Sequence, residues 1–171
     1  KKDIVHACSV VECPPMKIVG MVGYIETPRG LRALQTVWAA QLDNDVKRRF
    51  YKNWMNSKKK AFSKYADRFK QDDKSKTSIK RDLERIKKYC QVIRVIAHTQ
   101  PSAIKNIHRR KAHVMEIQVN GGSVAQKVAY ATGLFEKEIH HNQVFNDNEM
   151  IDTCGITKGR GFTGVVARFG V

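Results

Sequence analysis

The uneven distribution of charge along this sequence is its most informative feature, because it indicates which segment faces a partner. Among 171 residues, 32 Lys and Arg stand against 16 Asp and Glu, which gives a formal net charge of +16. Residues 46–111 hold 22 of these cations and five of the acids, a net charge of +17, and the two flanks together sum to −1. This distribution favours a nearly neutral scaffold that presents an electropositive middle to an anionic surface. The alternative interpretation is that these cations merely form the solvent-exposed face of a helix and bind no partner.

Nucleic acid is the leading candidate for that anionic surface, and a membrane surface is the second. The longest apolar stretch, residues 18–25, has eight residues and two glycines. It is too short to span a bilayer, so we expect no membrane insertion. The first four residues lack the layout of a signal peptide. The cysteines form no C-x-x-C pair, which favours reduced, mostly buried thiols over a disulfide framework or a zinc ribbon; they are Cys8, Cys13, Cys90 and Cys154.

Both ends of the chain have the composition of β-strands. A first segment, residues 1–42, is rich in Val, Ile, Cys and Met, and Pro14-Pro15 and the turn-forming residues 27–30 divide it. This pattern predicts three short strands, at residues 4–13, 16–26 and 31–40. A later segment, residues 91–122, predicts two more strands joined by a basic connection, at residues 91–99 and 112–119.

Helices are predicted between these strands, over residues 43–90. Asn44 or Asp45 offers an N-cap, and apolar residues then recur at spacings of three and four, as on one face of a helix. The recurrence predicts one long helix or two as far as residue 69, with a kink or a second cap at Asn56-Ser57. Residues 71–76 are predicted to form a polar linker. An amphipathic helix follows, capped by Thr77 or Ser78 and running to residue 88.

The last two predicted segments are a capped helix with a loop, residues 123–149, and a glycine-rich strand or loop, residues 150–171. Ser123 and Gln126 form a capping-box pattern, and Gly133 suits the far end of that helix. Strand-like composition continues as far as residue 166. The whole pattern predicts an α+β fold, namely a mainly antiparallel β-sheet or β-barrel whose strands come from both ends of the chain, with a helical insertion between them.

Residues 159–166 match the spelling of both a dinucleotide-binding motif and a kinase glycine-rich loop. Neither motif has its context, since the first needs a following helix and an acidic residue about twenty positions later. The second needs a downstream catalytic loop. We expect instead a flexible or tightly turning loop whose flanking cations, Lys158, Arg160 and Arg168, lie close to a phosphate backbone.

Six aromatic residues lie among cations between residues 50 and 69, and they allow two interpretations. Aromatic side chains between cations are typical of surfaces that stack nucleic-acid bases. Helical spacing, however, places Phe50 with Trp54, and Phe62 with Tyr65 and Phe69, on shared faces, which favours core packing. The neighbouring cations would then contact phosphates and fix position without reading sequence.

Residues able to perform catalysis do not form a recognisable site. The six histidines include no H-E-x-x-H motif and no Cys-His set at zinc-finger spacing, and adjacent side chains such as His140 and His141 rarely bind one ion. No serine has a nucleophile-elbow setting, and no pair of acids is placed for acid–base work. We expect no enzyme activity, no metal site, no cofactor and no small-molecule substrate.

Eight runs of sequence, in one order along the chain, resemble a known family. They are PPM at 14–16, GYIETPRGLR at 23–32, KRRFYKNW at 47–54, SKKKAF at 57–62, KYCQVIRVIAHTQ at 88–100, KAH at 111–113, MEIQVNGG at 115–122 and TKGRGF at 157–162. Together they closely resemble the eukaryotic form of the ribosomal protein L-three family, a universal family of the large ribosomal subunit. The likeness covers the chain from end to end.

The resemblance implies a protein that binds large-subunit ribosomal RNA, acts early in subunit assembly and sends an extension toward the peptidyl-transferase centre without performing its chemistry. It implies cytoplasmic ribosomes as the location, assembly in the nucleolus and contacts with neighbouring ribosomal proteins. It also implies a β-barrel of the translation-protein type with a helical insertion. Family members extend beyond both ends of this sequence, so it resembles a central fragment that lacks the N-terminal arm and a C-terminal portion.

One position departs from the family. Phe169 stands where eukaryotic members usually carry a Trp, in the loop that points toward the catalytic centre. Phenylalanine keeps a stacking face and loses the indole N–H donor.

Sixteen cations are the candidate RNA-binding residues. The resemblance implies eleven of them: Arg29, Arg32, Lys47, Arg48, Arg49, Lys58, Lys59, Lys60, Lys111, Lys158 and Arg160. The charge pattern adds five more: Lys52, Lys64, Arg109, Arg110 and Arg168. Our hypothesis is a structural, RNA-binding component of the large ribosomal subunit. The alternative is an RNA-modifying or RNA-processing factor with a barrel fold.

Overall fold

The computed structural model describes residues 2–8, 10–70 and 73–170, which form an antiparallel sheet and several helices. The strands are β1 (Met16–Thr27), β2 (Gly30–Trp38), β3 (Val92–His98), β4 (Val114–Gln118) and β5 (Glu138–Ile139). The helices are α1 (Asn44–Lys47), α2 (Ser63–Lys70), α3 (Asp73–Tyr89), α4 (Val124–Gly133) and α5 (Val165–Phe169). Single 3-10 turns lie at Arg48–Phe50, Pro101–Ala103 and His141–Gln143.

β1 is the central strand of the sheet. It pairs antiparallel with β2 on one side and with β3 on the other, and β3 pairs in turn with β4. Met21 lies opposite both Val37 of β2 and Val95 of β3, and β5 pairs with the first residues of β1. The predicted mixture of helices with an antiparallel sheet is therefore confirmed. The predicted barrel is not confirmed, because in the described residues the sheet is open, with β2 and β4 at its edges.

Helices α3 and α4 cover one face of this sheet. Ile86 of α3 and Val128 of α4 are buried in one apolar cluster with Met21. Each such burial contributes about 1.5–3 kcal/mol relative to exposure of the same side chain. α3 approaches β1 so closely that a Cβ atom on Gly23 would lie 2.5 Å from the Sγ atom of Cys90. Glycine at this position is therefore a packing requirement.

A smaller apolar cluster lies on the opposite face of β1 and anchors the basic middle of the chain. Val19 and Val22 of β1 are buried there with Val46 of α1 and with Ala112, which precedes β4. Val46 and Ala112 are each fully buried. Because both belong to one cluster, the basic residues that follow Val46 and those that precede Ala112 emerge at neighbouring points of the surface.

Two of the three predicted N-terminal strands are confirmed, as β1 and β2. The strand predicted at residues 4–13 is wrong: residues 4–8 and 10–13 have no regular structure, and Ser9 lies outside the described residues. Val5 and Val10 are 92% and 102% exposed. β-type composition alone does not make a strand, because a strand also needs a neighbour for its backbone hydrogen bonds and a surface against which to pack.

Of the two alternatives predicted for residues 44–69, the single long helix is wrong, and the pair of helices is confirmed only in part. α1 has four residues, one 3-10 turn follows, and regular structure resumes only at α2. The rings of Trp38, Phe50 and Phe62 pack together at centroid distances of 4.9 to 6.1 Å. In a continuous helix Phe50 and Phe62 would be about 18 Å apart. The chain therefore bends back, with left-handed backbone angles at Lys59 (φ 53°) and Phe62 (φ 60°).

The predicted linker at residues 71–76 is also wrong where it can be compared, because residues 73–76 belong to α3. Gln71 and Asp72 lie outside the described residues. The amphipathic helix predicted to follow the linker is confirmed as the remainder of α3, but its predicted cap at Thr77 or Ser78 is wrong, because both residues lie inside α3.

The predicted strands at 91–99 and 112–119 are confirmed as β3 and β4, and the capped helix is confirmed as α4. The capping box is formed in both directions. Ser123 Oγ accepts a hydrogen bond from the backbone N–H of Gln126 at 3.4 Å, and Gln126 Oε1 accepts one from the backbone N–H of Ser123 at 2.9 Å. This reciprocal pair fixes the start of α4, as the sequence pattern predicts.

For the last segment the sequence predicted a strand or a loop, and over residues 150–164 the strand is wrong and the loop is confirmed. These residues are irregular until α5 begins at Val165, and Ile156 and Phe162 are fully exposed. The cysteine prediction is correct only in part, since all four thiols are free but only Cys90 is buried. Burial raises the pKa of the Cys90 thiol. The described residues contain no helix long and apolar enough to cross a membrane.

Candidate nucleic-acid interface

The first wall of the candidate site follows α1 directly. The buried side chain of Val46 fixes α1 against the sheet, and the backbone N–H of Lys47 donates to the carbonyl of Asp43 at 3.1 Å. The next residues form the 3-10 turn Arg48–Phe50, and the backbone N–H of Tyr51 donates to the carbonyl of Arg48 at 3.3 Å. Lys47 and Arg48 are half-buried and Arg49 is exposed. The cations therefore begin where the apolar cluster ends.

The second wall is the basic loop that precedes β4, residues 108–111. The backbone N–H of Ala112 donates to the carbonyl of Asp45 at 3.1 Å, which ties this loop to α1. The hydroxyl of Ser102 donates to the carboxylate of Asp45 at 2.7 Å. On the same side, Nη2 of Arg49 lies 3.4 Å from Nδ1 of His113. These contacts hold two segments, about sixty residues apart in sequence, side by side.

Between the two walls lies a shallow hollow of about 320 Å³, which we call the cationic depression. Its lining residues are Arg48, Tyr51, Lys52, Trp54, His108, Arg109, Arg110 and Lys111. Five of the eight are Lys or Arg and none is Asp or Glu, so the local field is strongly positive. The structure thus brings together five of the sixteen cations predicted from the sequence.

The aromatic residues of this region divide into two groups. The rings of Phe50 and Phe62 pack against each other and against that of Trp38, and the hydroxyl of Tyr65 accepts a hydrogen bond from the backbone N–H of Trp38 at 3.0 Å. Burial raises the pKa of Tyr65. Core packing is therefore confirmed for Phe62, which packs against the smaller apolar cluster. It is not confirmed for Phe50, which is 49% exposed and belongs to neither apolar cluster of the described residues.

The helical interpretation predicted that Trp54 and Phe50 share one face. This prediction is wrong. The ring of Trp54 packs against Tyr51 instead, with centroids 5.5 Å apart. The guanidinium carbon of Arg48 lies 5.1 Å from the centroid of Trp54, and Nζ of Lys59 lies 5.6 Å from it. Trp54 and Tyr51 are thus half-buried lining residues of the cationic depression.

The other predicted cations of the middle segment lie beside the cationic depression, on a neighbouring part of the surface. Lys47 and Lys59 line a hollow with Phe62, and Lys60 and Lys64 line another with Arg68. Lys58, which directly precedes Lys59 and Lys60 in the sequence, is exposed. Arg49, which the prediction also includes, contacts His113 at the edge.

Arg29 and Arg32 lie at the tip of the β1–β2 hairpin and not near the cationic depression. Both are exposed and line a separate hollow at the turn. The other end of the hairpin is the Gly20–Trp38 pair, and Trp38 is the residue whose ring packs against Phe50 and Phe62. At the rise of a β-strand, seven residues of β1 separate the two ends by about 23 Å.

Lys158, Arg160 and Arg168 lie in the segment that follows β5. Every described side chain from residue 140 to residue 170 is exposed except that of Thr163, which is half-buried. The guanidinium of Arg168 lies 5.5 Å from the ring centroid of Phe169, and the other two cations precede α5. The structure does not bring these three cations into the cationic depression.

Several residues that could contact RNA were not among the sequence-based candidates. Tyr51, Trp54 and His108 line the cationic depression. Five further exposed cations lie on α3, the helix that covers the opposite face of β1: Lys80, Arg81, Arg85, Lys87 and Lys88. The α3 cations could have been found from the sequence, because they alternate with the apolar stripe of that helix. The grouping of residues in the cationic depression could not, because only the tertiary fold brings its two walls together.

A second polar group lies on the sheet itself. The hydroxyl of Tyr24 donates to the carboxylate of Glu116, and Arg94 lies 3.8 Å from that carboxylate and 4.7 Å from the Tyr24 ring centroid. The hydrogen bond to Glu116 raises the pKa of Tyr24. The three side chains contact one another across β1, β3 and β4, so we interpret them as a stabilising cross-strand group and not as a binding site.

In residues 2–8, 10–70 and 73–170, no three His, Cys, Asp or Glu side chains converge in an arrangement that could hold a metal ion. The cationic depression, with five Lys or Arg and no Asp or Glu in its lining, is suited to bind anions.

The fold and the surface together define a class: an α+β protein that presents anchored cations, with aromatic rings among them, of the kind that contact nucleic-acid backbones. Comparison with known proteins is more specific. The family model described as ribosomal protein L3 matches residues 1–171. The chain belongs to the ribosomal protein L3 family.

Three relatives illustrate the similarity, and each is named large ribosomal subunit protein uL3. The chain is 57% identical to that of Tetrahymena thermophila over 171 residues, which is 100% of this chain and 42% of the relative. It is 59% identical to that of Aspergillus fumigatus over 170 residues, 99% of this chain and 43% of the relative. It is 53% identical to that of Oryza sativa subsp. japonica over 171 residues, 100% of this chain and 44% of the relative. The chain thus spans less than half the length of these curated relatives.

Proposed function

We propose that the protein is a structural constituent of the large ribosomal subunit that binds ribosomal RNA through the surface centred on the cationic depression. The observation that carries this proposal is the convergence of five cations and no acid on one anchored hollow. Family membership supports the same reading, because the relatives are named as large ribosomal subunit proteins. The sixteen predicted cations are proposed as the RNA-binding residues, with those of the depression as the centre.

Binding of this kind is mainly electrostatic. Lys and Arg side chains neutralise phosphates and release the counterions condensed on the RNA, so affinity falls steeply as salt rises. Contacts to phosphates hold the protein in place, and they carry no sequence information themselves. The RNA is therefore selected by its shape and by any unpaired bases that reach the protein.

We propose a non-catalytic role. The cationic depression contains one titratable imidazole, that of His108, and no carboxylate, so it lacks the acid–base pair that RNA cleavage or modification would use. The proposed contribution of the chain to the ribosome is to organise and brace RNA.

Four finer proposals follow from the family. The protein acts early in assembly of the large subunit, in the nucleolus, and then resides in cytoplasmic ribosomes. It contacts neighbouring ribosomal proteins and supports the region near the peptidyl-transferase centre, toward which the segment carrying Lys158, Arg160 and Phe169 extends. Finally, strands outside this chain pair with the open edges at β2 and β4 and complete a translation-type barrel. The relatives have the length for such strands, since the chain covers 42–44% of them.

The salt dependence of RNA binding tests the central part of this proposal. If about six phosphates are neutralised, affinity for an rRNA fragment should fall roughly a thousandfold between 50 and 200 mM salt. The measurement is a filter-binding or fluorescence-anisotropy titration at several salt concentrations. An affinity that stays constant over this range would contradict electrostatic binding.

A further inference from the structure

Trp54 occupies an unusual place for a large aromatic residue, because five of the other seven residues that line its hollow are Lys or Arg. It is half-buried, packs against Tyr51 at 5.5 Å and belongs to the lining of the cationic depression. The backbone that carries it is fixed, since both the N–H and the hydroxyl of Ser57 donate to the carbonyl of Trp54, at 3.2 and 2.8 Å. The ring therefore has a defined position before any ligand arrives.

The cations beside Trp54 are placed to receive an anion. Nε of Arg48 is buried and has no hydrogen-bond partner among the described residues. A buried donor of this kind is destabilising until an acceptor reaches it. The facing loop supplies Arg109, Arg110 and Lys111, and its tie to Asp45 keeps these side chains opposite the ring.

The size of the hollow limits the ligand. Its volume of about 320 Å³ is at the lower end of the range of small-ligand sites, about 300–1,000 Å³. Such a volume suits one nucleotide and excludes a double helix. A paired stem can lie across the rim and contact the cations, but its bases remain stacked inside the helix and do not meet Trp54.

We propose that the cationic depression binds a single unpaired nucleotide of RNA, with its base stacked on Trp54 and its phosphate held by Arg48 and the loop 109–111. This inference rests on the proposed RNA-binding function and specifies its substrate class at that site: RNA with a base displaced from the helix, as in a bulge or loop. Every base has an aromatic face, so the contact selects for an unpaired base and tolerates its identity.

Two contacts of Trp54 must yield or be shared when a base binds. Lys59 lies 5.6 Å from the ring centroid and its side chain is exposed. An exposed cation–π contact is weaker than base–aromatic stacking, so a base can displace Lys59 from the ring. The Arg48 contact can remain, because a guanidinium beside the ring reaches the phosphate of the same nucleotide.

The test uses two RNA hairpins that differ in one feature, a fully paired stem and the same stem with one unpaired 2-aminopurine. The intact protein should bind the bulged hairpin more tightly than the paired one. Trp54→Ala should weaken binding of the bulged hairpin by roughly 5- to 150-fold, the range of one lost base stack, and change binding of the paired hairpin less than about twofold. Trp54→Phe retains a ring and should preserve most of the discrimination.

Tyr89→Ala provides a matched control. Tyr89 is an exposed aromatic on α3 with Nζ of Lys88 5.3 Å from its ring centroid, outside the cationic depression. Its removal should leave the preference for the bulged hairpin unchanged. Equal weakening of both hairpins by Trp54→Ala, or no weakening of either, would overturn the proposal while leaving RNA binding intact. Failure of the intact protein to bind either hairpin at low salt would instead overturn the proposed function, and this inference with it.

Fluorescence supplies a second measurement that does not depend on the alanine variant. The chain contains two tryptophans, so the difference between the intact protein and Trp54→Phe isolates the emission of Trp54. If the base stacks on Trp54, binding of the bulged hairpin should quench both the emission of Trp54 and the emission of 2-aminopurine. Binding of the paired hairpin should leave the emission of Trp54 nearly unchanged. Equal quenching by both hairpins would contradict the proposal.

Discussion

Two cationic regions of this molecule have similar composition and very different construction. The cationic depression is built on the apolar cluster of Val46 and Ala112, and a backbone hydrogen bond from Ala112 to Asp45 joins its two walls. The C-terminal cations Lys158 and Arg160 lie in an irregular, exposed segment. In the described part of that segment, from residue 150 onward, the backbone hydrogen bonds that the structure shows are within residues 164–170.

The same charges can therefore act in two different ways. Cations already held together lose little conformational freedom when RNA binds, so more of their interaction energy contributes to affinity. Cations on an unanchored segment must be ordered at the moment of binding, and that ordering opposes affinity. We therefore expect the cationic depression to dominate binding and the C-terminal cations to add to it only once the segment is held by other contacts.

The largest expected effect comes from removing charge in one region at a time. Arg109, Arg110 and Lys111 changed together to Ala should lower RNA affinity by about a hundredfold at 50 mM salt, because three phosphate contacts are lost. The matched variant changes Lys158, Arg160 and Arg168 to Ala and removes the same charge. It should lower affinity by less than about fivefold, since those cations must first be ordered.

Titration of both triple variants against one rRNA fragment makes this comparison. The slope of log affinity against log salt concentration should change in the same way. It should fall by about three units in the depression variant and by about one unit or less in the C-terminal variant. Equal losses in the two variants would show that net charge alone sets affinity and that anchoring is irrelevant.

A smaller effect is expected from loosening the depression without removing any cation. Ala112→Pro removes the N–H that donates to the carbonyl of Asp45, so the loop 108–111 is no longer tied to α1. Reordering that loop on binding should cost about 1.4 kcal/mol, which is about tenfold in affinity. Ala112→Gly keeps the N–H and is the control.

Ser102→Ala gives an intermediate case. It removes the exposed hydrogen bond to the Asp45 carboxylate, and we expect a loss of about twofold. Hydrogen exchange of residues 105–113 should increase in the same order as affinity falls, from Ala112→Gly through Ser102→Ala to Ala112→Pro. Normal affinity in Ala112→Pro together with fast exchange of that loop would show that the tie to α1 does not matter for binding.

The body of the fold could be predicted from the sequence because its signals are local. Prolines and a Thr-Pro-Arg-Gly turn delimit β1 and β2, and the Ser123–Gln126 pair marks the start of α4 within four residues. The strand at residues 4–13 had equally good composition and failed, because composition does not report whether a partner strand exists.

The candidate site could be predicted only in part. Which residues are cationic was readable, and so was their concentration in the middle of the chain. Their grouping was not, because Lys52 and Arg109 come to line one hollow only through the sheet and through the cluster that holds Val46 and Ala112, which no periodicity encodes. Trp54 was misplaced for a related reason: the ring cluster of Phe50 and Phe62 bends the chain out of the helix that its spacing predicted.

Ultraviolet crosslinking of the protein to large-subunit rRNA, followed by mass spectrometry of the crosslinked peptides, tests the central claim most directly. The account predicts that crosslinks concentrate on the two walls of the cationic depression, on the peptides that contain Tyr51, Trp54 and residues 108–111. Crosslinks confined to residues 150–170, with the walls of the depression unlabelled, would contradict it.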